Sequence, residues 1–222
     1  MSFRDRSDAG RALAQALVKY KDERPVILAL PRGGVPVAAE VAAALKAPLD
    51  LILVRKIGVP MQPELAMGAV VDGKTPLVVR NEDVIAMAGI SDEEFKAVRG
   101  RELAEIERRR ERYLGGRLPV EIAGRTVIIV DDGIATGATT RAALRAIRAR
   151  KPKKLVLAVP VAPTDTIEAM YGEADEIVSL EQHILFGAIG IYYSDFRQIS
   201  DEEVIEILKR FPSEGEKPEA AA

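Results

Sequence analysis

Val127 to Thr140 reads VIIVDDGIATGATT, and the parsing of this stretch decides the fold. Val127, Ile128, Ile129 and Val130 form an apolar β-branched run of the kind that fills a strand buried on both faces. Asp131 and Asp132 end it with charge. Gly133, Ile134, Ala135, Thr136, Gly137, Ala138, Thr139 and Thr140 follow as a small-residue loop that opens a helical stretch, Arg141 to Arg150. A strand handed to a helix through small residues leaves several backbone N–H groups unpaired and pointing outward, where the helix dipole adds partial positive charge. The stretch therefore reads as an anion cradle, to which the hydroxyls of Thr136, Thr139 and Thr140 can add donors.

The neighbouring charges narrow the choice of anion. The loop contains no Lys, so it lacks the GxxxxGK[ST] pattern of a nucleotide triphosphate loop. Two adjacent carboxylates beside a phosphate cradle suit a sugar phosphate instead, because carboxylates accept hydrogen bonds from vicinal hydroxyls while N–H groups hold the phosphate. Ribose 5-phosphate fits this description. Here the segment resembles the signature of the type I phosphoribosyltransferases, enzymes that use 5-phosphoribosyl 1-pyrophosphate (PRPP). The shared pattern is a buried hydrophobic strand, two acidic residues, a short linker, then Thr-Gly and further small or hydroxyl residues. The resemblance covers most of residues 25 to 181. It implies that Asp131 and Asp132 hold the ribose and that Ala135, Thr136, Gly137, Ala138, Thr139 and Thr140 hold its 5-phosphate.

Composition bounds the alternatives. With 222 residues, 48% hydrophobic and 30% charged, the chain suits one globular domain, expected over 1–211, with 212–222 as a disordered tail. A net charge of −2 gives no global attraction to nucleic acid or acidic membranes. No charged-then-apolar leader opens the sequence and no apolar run approaches the ~18 residues that span a bilayer, so a cytoplasmic protein is expected. The absence of cysteine removes disulfides and thiolate chemistry, and a single His183 speaks against zinc or a Ser-His-Asp site.

Outward from the signature, the chain alternates strand and helix. Ala12, Leu13, Ala16, Leu17 and Tyr20 mark an amphipathic helix with Asp8 as candidate cap, entered through the Arg-rich Phe3-Arg4-Asp5-Arg6, which can reach a ligand. Val26 to Leu30 is a second buried run, followed by Pro31-Arg32-Gly33-Gly34 and a helix faced by Ala38, Val41, Ala42 and Leu45. Leu51 to Val54 is a third, ending in Arg55-Lys56, where open parallel sheets bind ligands. The resemblance implies that Arg32, Gly33, Gly34, Arg55 and Lys56 hold pyrophosphate, and that Asp131, Asp132, Arg55 and Lys56 are catalytic. Leu155 to Val159 and Glu176 to Leu180, separated by a helix from Asp165 to Tyr171, complete five core runs. The expected fold is α/β, a mainly parallel five-stranded sheet with helices on both faces.

Two regions depart from this alternation. Between about 57 and 118, residues 61–68 read as loop, Ala69 to Val71 and Leu77 to Arg80 as a hairpin around Asp72-Gly73-Lys74, and Ser91 with Glu94 as the capping box of a helix reaching Tyr113. The resemblance makes this region a flap that closes over PRPP, with Glu64 a candidate proton acceptor. The helix interleaves charges of both signs, which favours a solvated face or subunit interface over an RNA contact. The second region, a small hood from about 1–8 and 181–200, holds most of the aromatics. Phe186, Tyr192, Tyr193 and Phe196 can stack on a base that Asp195 recognises, although packing of the chain end explains the rings equally well. A last helix is expected from Asp201 to Phe211.

The resemblance implies transfer of ribose 5-phosphate from PRPP to a small nitrogenous acceptor, a nucleobase, with release of pyrophosphate and use of Mg²⁺. The metal is expected near Asp131 and Asp132, held mostly through water and PRPP, in a homodimer. Hypoxanthine/guanine members carry an acid where this chain has Ala135, which turns the expectation away from a 6-oxopurine acceptor. The rival reading is a PRPP-sensing regulator that binds nucleic acid through Lys96 to Arg112.

Overall fold

The computed structural model describes residues 3–73 and 76–211. In chain order its strands are β1 (Val26–Ala29), β2 (Leu49–Leu51), β3 (Val54–Val59), β4 (Gln62–Val71), β5 (Leu77–Arg80), β6 (Thr126–Val130), β7 (Lys154–Pro163) and β8 (Glu176–His183). Its helices are α1 (Arg6–Leu17), α2 (Gly34–Leu45), α3 (Glu82–Met87), α4 (Asp92–Leu114), α5 (Ala138–Ala149), α6 (Thr164–Glu168) and α7 (Asp201–Lys209). β2, β1, β6, β7 and β8 form a five-stranded sheet in that order, and every neighbouring pair is parallel.

The β6 run is central because both of its faces are buried. Ile128 and Val130 point into one cluster with Leu13, Val35 and Val41, while Val127 and Ile129 point into another with Ala143, Leu144 and Ile147. Each such side chain is worth roughly 1.5–3 kcal/mol of burial, which fixes the register of the strand. The chain winds from β1 to β2 on one side and from β6 to β7 on the other. The sheet therefore reverses direction of travel between β1 and β6, and the loops leaving these two strands meet at their carboxyl ends.

The second sheet, β3-β4-β5, is antiparallel and changes the reading of Leu51 to Val54. The core strand stops at Leu51; Ile52 N–H still donates to Ala29 O at 3.0 Å, and then Ile52 and Leu53 are buried as the chain crosses to β3. Arg55 and Lys56 thus lie within β3, not at the tip of a core strand. Residues 61–68 are likewise largely strand: despite Pro60 and Pro63, β4 starts at Gln62 because it pairs with β3, and fully buried Met67 anchors it beside Ile57. The tip of the hairpin, 74–75, and the expected tail 212–222 lie outside the described residues. One buried cluster runs from α1, β1 and β6 through Ile57 and Met67 to Phe95 of α4.

Helix ends follow local chemistry. Ser91 and Glu94 form the expected capping box of α4, and Ser200 and Glu203 form a second one on α7, which ends at Lys209. On α1 the cap is Asp5, whose carboxylate accepts from Asp8 N–H at 2.8 Å; Asp8 sits in the first turn. α5 begins at Ala138, earlier than its apolar pattern, because Gly137 at φ +73° turns the chain into the helix. α6 stops at Glu168, short of Tyr171, whereas β7 and β8 run on to Pro163 and His183 through continued pairing. The segment before α1 meets the segment before α7: Phe3 N–H donates to Tyr192 O, Ser194 N–H to Phe3 O and Asp195 N–H to Arg4 O at 2.7–2.8 Å. Among the described residues no helix is long and apolar enough to cross a membrane.

Candidate functional site

The acid pair and the PRGG loop are brought together by strand pairing. Ala29 is in register with Val130, and Leu30 N–H donates to Val130 O at 3.0 Å, so the two loops leave the sheet side by side. A Cβ on Gly33 would stand 2.0 Å from Asp132 Oδ2, and one on Gly34 would stand 2.9 Å from Asp131 Cα. Gly33 has ordinary helical dihedrals, so it is the space that excludes a side chain there, not the backbone angle. The cradle itself is pinned from behind: Ile134 N–H donates to Val161 O at 3.0 Å and Thr166 Oγ1 donates to Ala135 O at 3.1 Å. Ala135, Thr136, Ala138 and Thr139 are exposed, while Gly137 and Thr140 are buried. The first turn of α5 thus presents its N–H groups beside accessible hydroxyls.

The second acid is held by a residue far away in sequence. Arg6 is buried, and its Nε donates to Asp132 Oδ2 at 2.7 Å while a terminal nitrogen donates to Arg197 O at 2.8 Å. Tyr193 O–H donates to Asp132 O at 2.5 Å, and Asp132 N–H donates to Asp131 Oδ1 at 2.9 Å. Burial pushes the Asp131 carboxyl well above the usual carboxylate range, and the adjacent Asp132 charge adds to that. Burial also raises Asp132, with the Arg6 hydrogen bond opposing it. The Tyr193 hydroxyl is raised by burial and by the Asp132 charge. The sequence pointed to the Arg-rich entry; only the fold selects Arg6 and gives it a partner.

The cations expected to hold pyrophosphate each face a carboxylate. Arg32 lies 3.6 Å from Asp201 Oδ1, Arg55 Nε donates to Glu102 Oε2 at 2.7 Å, and Lys56 Nζ donates to Glu64 Oε2 at 3.1 Å. Lys56 and Thr139 border two cavities of about 510 and 460 Å³. The larger runs between α5 and the small sheet past Thr136 to Arg80, Arg141 and Arg145; the smaller reaches Arg55, Arg101 and Glu102. Folding therefore sets Lys56 in one cavity with Thr136, Ala138 and Thr139 at the start of α5. Arg80, Arg141 and Arg145 carried no signal in the sequence, since each belongs to an ordinary amphipathic pattern.

The sequence matches the phosphoribosyl transferase domain family over residues 5–190. The chain belongs to that family. It is 49% identical over 208 residues to a Mycobacterium tuberculosis protein provisionally named a phosphoribosyl transferase, an alignment covering 94% of this chain and 46% of the relative. The chain thus spans about half the length of the curated relatives it matches. Among solved structures it is similar to TT1426 from Thermus thermophilus, at 41% identity and a TM-score of 0.83, covering 96% of this chain and 100% of the other.

In this phosphoribosyltransferase domain the aromatics of residues 183–196, with Phe3, pack on one another, two pairs stacked and two tilted. Tyr192 lies 4.4 Å from His183 and 5.1 Å from Phe186, ring centre to ring centre; Tyr193 lies 5.0 Å from Phe196 and 5.6 Å from Phe3. The Arg6 guanidinium sits 3.9 Å over the Phe196 ring, and exposed Asp195 accepts from Arg197 N–H at 3.1 Å. Among the described residues there is no group of three or more metal-ligating side chains. The acid pair alone, with one oxygen already taken by Arg6, fits Mg²⁺ only in the manner of a cation that keeps waters and takes most of its oxygens from substrate phosphates.

Proposed function

We propose that this phosphoribosyltransferase domain transfers ribose 5-phosphate from PRPP to a nitrogenous acceptor, a nucleobase, and releases pyrophosphate. The observation that carries the reading is the convergence of the acid pair, the PRGG loop and Lys56 on one phosphate cradle. In this reading the N–H groups and hydroxyls of residues 135–140 hold the 5-phosphate, and Asp131 and Asp132 accept from the ribose hydroxyls. The C1–O bond to pyrophosphate breaks, with the electron pair leaving on pyrophosphate. The acceptor nitrogen bonds to C1 and gives up its proton to the departing pyrophosphate. Positive charge develops on the sugar, where the two carboxylates stabilise it, and negative charge grows on the leaving group, which Arg32, Lys56 and the Gly33 N–H receive. Lys56 exchanges Glu64 for phosphate, and Arg55 exchanges Glu102.

Mg²⁺ bound with PRPP supplies charge neutralisation at the departing pyrophosphate, with Asp131 and Asp132 holding it mainly through water. The unit is residues 1–211, in which the small sheet and α4 act as a flap that excludes water and the hood covers the acceptor. Tyr193 and Phe196 support the hood in this reading, leaving Asp195 and the edge of Tyr192 for the base. Ala135 supplies no proton acceptor, so a 6-oxopurine is disfavoured. The regulatory alternative draws on the Arg-rich α4, but Arg108 and Arg109 pair with Glu105, and Arg112 pairs with Asp201 and Glu202, so part of its positive charge is already neutralised. We read the protein as a cytoplasmic homodimer. The test is calorimetric titration with PRPP and Mg²⁺, followed by pyrophosphate release across purine and pyrimidine bases. Binding with release by one base supports the reading, binding without release favours a regulator, and no binding sinks it.

A further inference from the structure

We infer that Arg6 is a positioning residue of the transfer site, fixing Asp132 and joining the hood to the sugar-binding acids. Three contacts converge on its buried guanidinium: Asp132 Oδ2 at 2.7 Å, Arg197 O at 2.8 Å and the Phe196 ring at 3.9 Å. The first belongs to the cradle and the other two belong to the hood. α1, which carries Arg6, is itself fixed to the hood by the backbone pairing of Phe3 and Arg4 with Tyr192, Ser194 and Asp195. Asp132 is further confined by Gly33 on the other side of the same oxygen and by Tyr193 on its carbonyl. One oxygen of its carboxylate is therefore committed to Arg6.

The electrostatics explain why a cation is needed in this place. Two neighbouring carboxylates buried at a site for a polyanionic ligand repel each other and the ligand. A guanidinium behind Asp132 cancels one of those charges without occupying the sugar side. Its planar fork binds a carboxylate, a carbonyl and a ring face at once, which a lysine cannot reproduce. Because the same group touches hood and cradle, a displacement of the hood reaches the Asp132 carboxylate through Arg6, while Tyr193 holds the backbone carbonyl of the same residue.

This inference rests on the reading of the cradle as a PRPP site, and the experiment separates the two. Wild type, Arg6→Gln, Arg6→Lys and Phe196→Leu are titrated with PRPP and Mg²⁺ by calorimetry, and each is melted with and without PRPP. The loss of a hydrogen bond to a charged group predicts PRPP binding about tenfold or more weaker in Arg6→Gln. Arg6→Lys restores the charge and recovers most of the affinity, while its melting temperature stays low because the fork and the stack are missing. Phe196→Leu, which leaves every charge in place, weakens PRPP binding less than Arg6→Gln and serves if the latter does not fold. A purely structural role predicts instead that the variants melt earlier yet bind PRPP as wild type does; that result, or tighter binding by Arg6→Gln, overturns the inference. If wild type fails to bind PRPP, the PRPP reading itself is wrong and the inference falls with it.

Discussion

Gly33→Ala tests the packing that holds the acid pair. Gly33 lies at φ −60°, ψ −37°, which alanine adopts without strain, so any effect comes from one methyl group. That carbon would stand 2.0 Å from Asp132 Oδ2, and the oxygen must retreat to 3.4 Å to reach ordinary contact. The same oxygen accepts from Arg6 at 2.7 Å, and a movement of that size breaks or badly distorts the bond. Loss of a buried ion pair costs about 3 kcal/mol. For a chain of this length that lowers the melting temperature by roughly 6–12 °C. PRPP affinity falls as well, since Asp132 is no longer held in place. Gly100→Ala is the control: a Cβ there meets nothing within 4 Å on the exposed face of α4, and replacing a mid-helix glycine should add about 0.5–1 kcal/mol. Differential scanning fluorimetry and PRPP titration read both variants. If Gly33→Ala melts and binds as wild type does, the close approach of the PRGG loop to Asp132 is not what shapes this site.

Three further outcomes are expected. Asp131→Asn combined with Asp132→Asn weakens PRPP binding by an order of magnitude or more, because the hydroxyl acceptors lose their charge; unchanged calorimetric affinity would remove them from the site. Ile128→Ala, in the centre of β6 with no solvent exposure, costs about 2–5 kcal/mol and shows as a lower urea midpoint at constant slope. Asp72 is pushed up to about 6, chiefly by burial, against an ordinary value of 3.8. The folded state thus holds a proton that the unfolded chain releases, and stability from this group, about 3 kcal/mol, is lost as pH rises from 3.8 to about 6. Asp72→Asn keeps an acceptor for Leu53 N–H and abolishes that loss, so urea unfolding at pH 4 and pH 7 should show its advantage over wild type growing with pH. An advantage equal at both would contradict the sign.

The parallel sheet was legible because its signal is local and repeated. Four apolar β-branched residues of β6 followed by two acids and a small-residue loop admit few structures, since burial on both faces and an unpaired helix N-terminus are consequences of the chain itself. The same holds for the Ser91–Glu94 capping box, set by neighbours within a few residues. Arg55 and Lys56 were misplaced because Leu51 to Val54 is uniformly apolar, so nothing in the run marks where one sheet ends and the next begins. That boundary is set by which partner strand offers hydrogen bonds: β1 as far as Ile52, and β4 from Val54. The 61–68 stretch failed for the opposite reason, since its prolines signal loop while pairing with β3 makes most of it strand. The acid pair, the small-residue loop that opens α5 and the sheet that carries them could thus be read from neighbouring residues alone. It took the closed chain to set Arg6, 126 residues away in sequence, against Asp132, to bar a side chain from Gly33 by means of that same carboxylate, and to pack the hood rings on each other. Charge pairing and steric exclusion between distant segments leave no period or motif in a sequence, because they depend on distances that exist only once the chain has closed.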